Sequence, residues 1–170
     1  MIPLMLTVKQ RRSTIDMKNQ HEKSRIESLL AVNTYLDRLR YALSTDAQIF
    51  LISQRQVDRL KQTRYTNRFT INKLFPDEDV ITALRRELLL LKSKNYIETV
   101  RDSRFPNKSE MRVFGKRFAG QDTYIKIRVE LINLEETGGN GLILVMSFHF
   151  AEYAFKGSDF PYGGDENGTH

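Results

Sequence analysis

Two segments near the end of this 170-residue chain carry side chains that can move protons and hold phosphate. In DTYIKIRVE, from Asp122, alternate residues of a strand share a face, so Tyr124, Lys126 and Arg128 line one side and Ile125, Ile127 and Val129 the other. LILVMSFHF reads as its partner across a glycine-containing turn. Matching apolar face to apolar face sets Leu144, Met146, Phe148 and Phe150 against the isoleucines. Ser147 and His149 then join Tyr124, Lys126 and Arg128. A register centred on Thr137–Gly138 puts Lys126 beside His149 and Arg128 beside Ser147. A two-residue shift keeps the face and changes the neighbours.

These residue types suit metal-independent RNA cleavage. That reaction needs a base for the 2′-hydroxyl proton, cations around the phosphorane and an acid for the leaving 5′-oxygen. His149 can be acid or base, because an unperturbed imidazole titrates near about pH 6.5. Lys126 and Arg128 can stabilise the developing charge. Tyr124 can stack on a base or move a proton. The same alternation also suits the solvated face of a half-buried sheet, so it does not by itself establish an enzyme.

Further cations lie nearby. Arg112, Lys116 and Arg117 sit on the strand MRVFGKRF (111–118). Gly115 falls opposite Lys126 if the turn is Gly120–Gln121, which leaves the sheet open to a ligand. Upstream, SQRQVDRLKQTRYTNR reads as a helix capped by Ser53 with Val57 and Leu60 inward. It carries Arg55, Arg59, Lys61, Arg64 and Arg68 against Asp58. We assign RNA contacts to Arg112, Lys116, Arg117, Arg55, Arg59 and Arg64. The net charge of +6 fits an anionic partner, nucleic acid first.

The elements that must position these residues follow from periodicity. Ile26, Leu29, Leu30, Leu36, Leu39 and Leu43 predict an amphipathic helix over 24–43. Ile49 to Ile52 suits a strand. FPDED announces a further helix with Pro76 near its start and carboxylates in its first turn, burying Val80, Ile81, Leu84, Leu88 and Leu91. YIETVRD (96–102) suits a strand and FPNKSE a loop. The reading is α+β, with N-terminal helices packed on one face of a C-terminal antiparallel β-meander. Residues 1–23 form a poorly patterned extension, 24–155 a single domain, and 156–170 a polar, glycine-rich tail expected to be disordered. There is no cysteine, which excludes disulfides and cysteine-built metal sites. No cofactor or metal is expected. No apolar run reaches the roughly 20 residues of a membrane span, and the opening MIPLML lacks a leader's pattern. A cytoplasmic protein with no membrane association is expected.

The run RVFGKRFAGQDTYIKIRV followed by LILVMSFHFAEYAF resembles the C-terminal half of MqsR-family toxins, mRNA interferases of the RelE-like superfamily. The matching order is Phe114–Gly115–Lys116, Gly120, Tyr124–Ile125–Lys126, then Ser147–Phe148–His149 and Ala151–Glu152–Tyr153. The resemblance covers about residues 47–155. It implies a RelE-like α+β toxin that cuts mRNA without a metal and is held inactive by a cognate antitoxin protein. Tyr124 matches a family site tyrosine, and His149 stands where the family carries lysine. A family glutamine has no counterpart near Arg112–Val113, and a family lysine has approximate counterparts in Lys92 and Lys94. A binding module that grips RNA or DNA without cutting is the alternative on the same fold. A protein-interaction module is a third.

Overall fold

The computed structural model describes residues 21–52, 62–130 and 141–164. Within them the fold is mixed α+β: a six-stranded sheet with three α-helices on one face. Strands β3 (Tyr96–Asp102), β4 (Met111–Phe118), β5 (Gln121–Glu130) and β6 (Leu142–Phe150) form the antiparallel meander. Two short strands extend it. β1 (Glu22–Arg25) pairs antiparallel with β3, and β2 (Gln48–Leu51) pairs parallel with β6, so the sheet is mixed rather than purely antiparallel. Sequence periodicity misses β1 because EKSR is charged and mostly exposed. Such residues suit an edge that must not recruit another chain.

Helix α1 (Leu29–Ser44) begins where the Ser28 side chain accepts the Ala31 N–H. It buries Val32, Leu36, Leu39 and Leu43. Ile26, Leu29 and Leu30 are exposed, contrary to the expected stripe, because the cap places Ile26 outside the helix and both leucines in its first turn. Helix α2 (Asn67–Leu74) is capped by Thr66. The capping role expected of Ser53, and the expected burial of Val57 and Leu60, fall outside the described residues. Helix α3 (Val80–Leu89) starts later than FPDED suggests. Asp79 is its cap, accepting the Thr82 N–H at 2.9 Å, so the acids precede the first turn instead of filling it. Leu84, Leu88 and Leu91 are buried as expected, whereas Val80 is half-buried and Ile81 is exposed.

The helices and sheet enclose the main core, which includes Phe114, Ile125, Ile127, Ile143, Val145 and Phe148. The β4–β5 turn is Ala119–Gly120, both with positive φ (49° and 78°), as a tight hairpin that follows strand twist requires. A β-bulge then interrupts the β5–β6 ladder: Lys126 faces Ser147, but Ile127 faces Val145. Met146 is the extra residue. The bulge reverses the alternation along β6 and overturns the expected pairing of Leu144 and Met146 with the core. Ile143 and Val145 are buried against the helices instead, while Leu144 faces Arg128 and Met146 packs on the opposite side.

Helix α2 completes the outer edge of β6 beyond β2. Buried Asn67 donates to the carbonyls of Ile52 (2.7 Å) and Met146 (3.1 Å) and accepts from Phe148 N–H (2.9 Å). Thr70 Oγ1 accepts from Phe150 N–H at 2.8 Å. Two side chains thereby replace a strand's backbone, which keeps this edge's polar groups satisfied.

Candidate functional site

The second sheet face holds Tyr124, Lys126 and Arg128 from β5 with Ser147 and His149 from β6, as alternation predicts. The actual register moves the expected partners by two residues: Tyr124 faces His149 and Lys126 faces Ser147. The Tyr124 and His149 rings stack, with centroids 5.3 Å apart and planes 18° from parallel. His149 is 9% exposed, and its Nδ1 lies 3.0 Å from the Phe150 carbonyl oxygen. A carbonyl only accepts, so Nδ1 carries the hydrogen. The neutral ring then has its proton-accepting lone pair on Nε2.

The two β5 cations differ from simple solvated charges. Lys126 is 2% exposed, with its Nζ 2.9 Å from Glu22 Oε1 on the edge strand β1. Arg128 Nε lies 3.2 Å from Glu130 Oε1. Glu22 is the partner sequence reasoning missed, because nothing in EKSR signals a contact with a strand more than a hundred residues away.

Gly115 lies opposite Tyr124, not Lys126, because the turn is one residue earlier than expected. Gly115, Tyr124 and His149 therefore form one row across three strands. The space over Gly115 is not open. A Cβ there would lie 2.7 Å from the Phe155 ring and 3.0 Å from both Ile97 and Phe160. The glycine makes room for the chain's own C-terminal segment. Residues through Gly164 fold back on the sheet, correcting the expectation of a disordered tail from 156. Phe155 and Phe160 pack edge to face beside Ile97, Val100, Met111 and Val113, and Tyr162 stacks on Tyr96. Residues 165–170 lie outside the described set.

The remaining predicted cations separate. Arg112 lies on the helix-facing side, where its guanidinium grips Glu27 in two-pronged fashion (Nη2–Oε1 2.9 Å, Nε–Oε2 3.0 Å) and lies 4.4 Å from the Tyr35 ring centroid. Glu27 also accepts from Thr99 Oγ1 at 2.6 Å. Burial opposes ionisation of Glu27, but the hydrogen bonds from Arg112 and Thr99 outweigh it and hold its carboxyl below the usual range. Lys116 also faces the helices, with Nζ 3.6 Å from Glu87 on α3. Arg117 is exposed on the other side and donates to the Gly120 carbonyl at 3.2 Å. Arg64 hydrogen-bonds Gln121 at the start of β5 and lies over the Phe150 ring. Arg55 and Arg59 fall outside the described residues. Sequence charge thus marks one functional group where the fold makes several.

Among the described residues, no cluster of three or more His, Asp or Glu side chains could hold a metal ion, and no helix is long and apolar enough to cross a membrane. Comparison with protein-family models, curated proteins and solved structures returns no match.

Proposed function

We propose that this protein is a toxin-type endoribonuclease with a RelE-like arrangement, cutting single-stranded mRNA in the cytoplasm under the control of a cognate antitoxin protein. The observation that carries the catalytic part is the stacked Tyr124–His149 pair on directly opposite positions of β5 and β6. Nε2 of His149 takes the proton from the 2′-hydroxyl, whose oxygen then bonds to phosphorus. The bond from phosphorus to the 5′-oxygen breaks, and the Tyr124 hydroxyl protonates the departing oxygen. The products are a 2′,3′-cyclic phosphate and a 5′-hydroxyl. Each proton-transfer role is typically worth about 10²–10⁴-fold in rate. Support for the toxin class and its antitoxin comes from the MqsR-like motif order alone.

A second reading is RNA binding without cleavage. It is favoured by the commitment of the Lys126 ammonium to Glu22 in a nearly solvent-free position, which takes that cation away from a substrate phosphate. Induced expression of wild type and His149→Ala, with growth and mRNA integrity followed together, separates the two. Growth arrest with mRNA loss in the wild type only supports the nuclease. Harmless expression of both folded proteins supports the binding module.

A further inference from the structure

Helix α2 uses one side for the fold and turns the other to solvent. Asn67 and Thr70 bond the edge of β6, and Ile71 enters the core. Arg68, Phe69, Asn72 and Lys73, on the opposite side, are exposed. We propose that this outer side, with Arg64 from the turn before it, is a binding rail for the phosphates of a single-stranded RNA. The inference rests on the RNA reading above but not on cleavage.

From Gln62 to Leu74 the chain carries Arg64, Arg68 and Lys73 and no acid. Among the described residues, no carboxylate pairs with any of the three. Arg64 is held by neutral groups: it hydrogen-bonds the Gln121 side chain and lies 5.9 Å from the Phe150 ring centroid. Its place is fixed, yet neither partner is an anion. Elsewhere in the fold, Arg112, Lys116 and Lys126 each lie beside a carboxylate. Arg68 and Lys73 are five residues apart, about 7.5 Å along a helix axis. A partner that meets both must carry charge along its length. Cations grouped without acids build a potential that draws in a polyanion.

Phe69 selects among polyanions. It is 37% exposed and meets the Phe150 ring edge to face, with centroids 6.4 Å apart. An aromatic ring beside cations suits a single strand, whose bases are free to stack, better than a duplex or an acidic protein. The rail also leads to the proposed site. Asn67 and Thr70 accept the N–H groups of Phe148 and Phe150, the residues on either side of His149. A strand lying on α2 therefore passes the edge of β6 at the level of His149, in line with the row through Tyr124.

The test uses the full chain and a fluorescein-labelled 2′-O-methyl RNA 12-mer, which has no 2′-hydroxyl to attack and reports binding alone. Anisotropy titrations across salt compare the wild type, Arg68→Ala/Lys73→Ala, and a control, Lys23→Ala/Arg38→Ala, which removes two exposed cations elsewhere. Alanine is the best helix former, so α2 should stand. The rail variant should bind at least about tenfold more weakly, and its log–log salt slope should shrink by about 1.4 for two lost phosphate contacts. Arg68→Lys/Lys73→Arg should restore both. Phe69→Leu should weaken binding about five- to a hundredfold at an unchanged slope. Equal losses in the rail and control variants, equal affinity for a 12-base-pair duplex, or no binding by the folded wild type would overturn the rail. Binding that depends on the rail, together with intact unmodified RNA, would keep the rail and remove the nuclease. Cleavage of unmodified RNA by the wild type, with 12-mer binding unchanged in the rail variant, would keep the nuclease and remove the rail.

Discussion

The two faces of the sheet use the same kinds of side chain to opposite ends. On the helix side, Glu27, Arg112, Thr99, Tyr96 and Tyr35 form a dry cluster in which the charges satisfy one another. Glu27 N–H donates to Tyr96 Oη at 3.1 Å, Tyr96 Oη and Thr99 Oγ1 are 2.7 Å apart, and the Tyr162 hydroxyl donates to the Glu27 carbonyl at 2.5 Å. Arg40 and Arg85 likewise donate to carbonyls of Leu91 and Ala47, at 2.9 Å in each case, and act as struts. On the other side, Tyr124 and His149 stack in a row with Gly115, over which the C-terminal segment packs Phe155 and Phe160. The difference teaches that a cation count is not a footprint. A guanidinium closed on a buried carboxylate, as Arg112 is on Glu27, fixes the fold and is not available to a phosphate.

The comparison is broken most severely at Glu27. Glu27→Ala leaves the Arg112 guanidinium, with its side chain only 18% exposed, facing a dry site without its counter-charge. A loss of about 3–5 kcal/mol in urea unfolding is expected. Replacing both partners with apolar residues, Glu27→Leu with Arg112→Met, should recover most of it. A cost under about 1 kcal/mol for the single change would mean the pair is no strut.

On the other face, Gly115→Ala forces a methyl group into the Phe155 ring and against Ile97 and Phe160. Overpacking of this kind costs about 1–3 kcal/mol. The expected signature is earlier proteolysis of the C-terminal segment at unchanged helix content. If the segment resists protease as the wild type does, it is not seated over Gly115.

The hairpin and the residues that share its face were legible in the sequence because strict alternation from Thr123 to Val129 has one interpretation in a strand, and Gly120 marks a turn there, although the turn is Ala119–Gly120 rather than the expected Gly120–Gln121. The Met146 bulge was not legible: a single unpaired residue leaves the composition of LILVMSFHF unchanged while reversing half of its faces. The C-terminal segment misled for a different reason. Its glycines and polar residues suggest disorder, but Phe155, Phe160 and Tyr162 each find an aromatic or apolar partner that only the folded sheet presents. The Lys126–Glu22 pair was hidden because it joins an apparently unpatterned segment to the far side of the sheet.

The smallest expected effect is on acid stability. Hydrogen bonding by Arg25 lowers Glu110 and hydrogen bonding by Arg104 lowers Asp102, each against the opposing effect of burial, and Glu27 is lowered as well. Carboxyls with depressed folded-state values stabilise the protein above their ordinary values of 4.5 for glutamate and 3.8 for aspartate. That stability is lost as pH falls through the depressed values. The urea midpoint should be flat down to about pH 5, above the unfolded glutamate range, and then decline. Glu27→Ala should flatten the decline. An unchanged acid slope in that variant would show that Glu27 is not held ionised by Arg112.

The central claim is that the stacked Tyr124–His149 pair performs proton transfer on RNA. The most direct test is single-turnover cleavage of a labelled single-stranded RNA by purified wild type and His149→Ala, in the presence of a metal chelator. The account predicts a 2′,3′-cyclic phosphate product from the wild type and a rate about 10²–10⁴-fold lower in the folded variant. Cleavage at the wild-type rate by His149→Ala would contradict it.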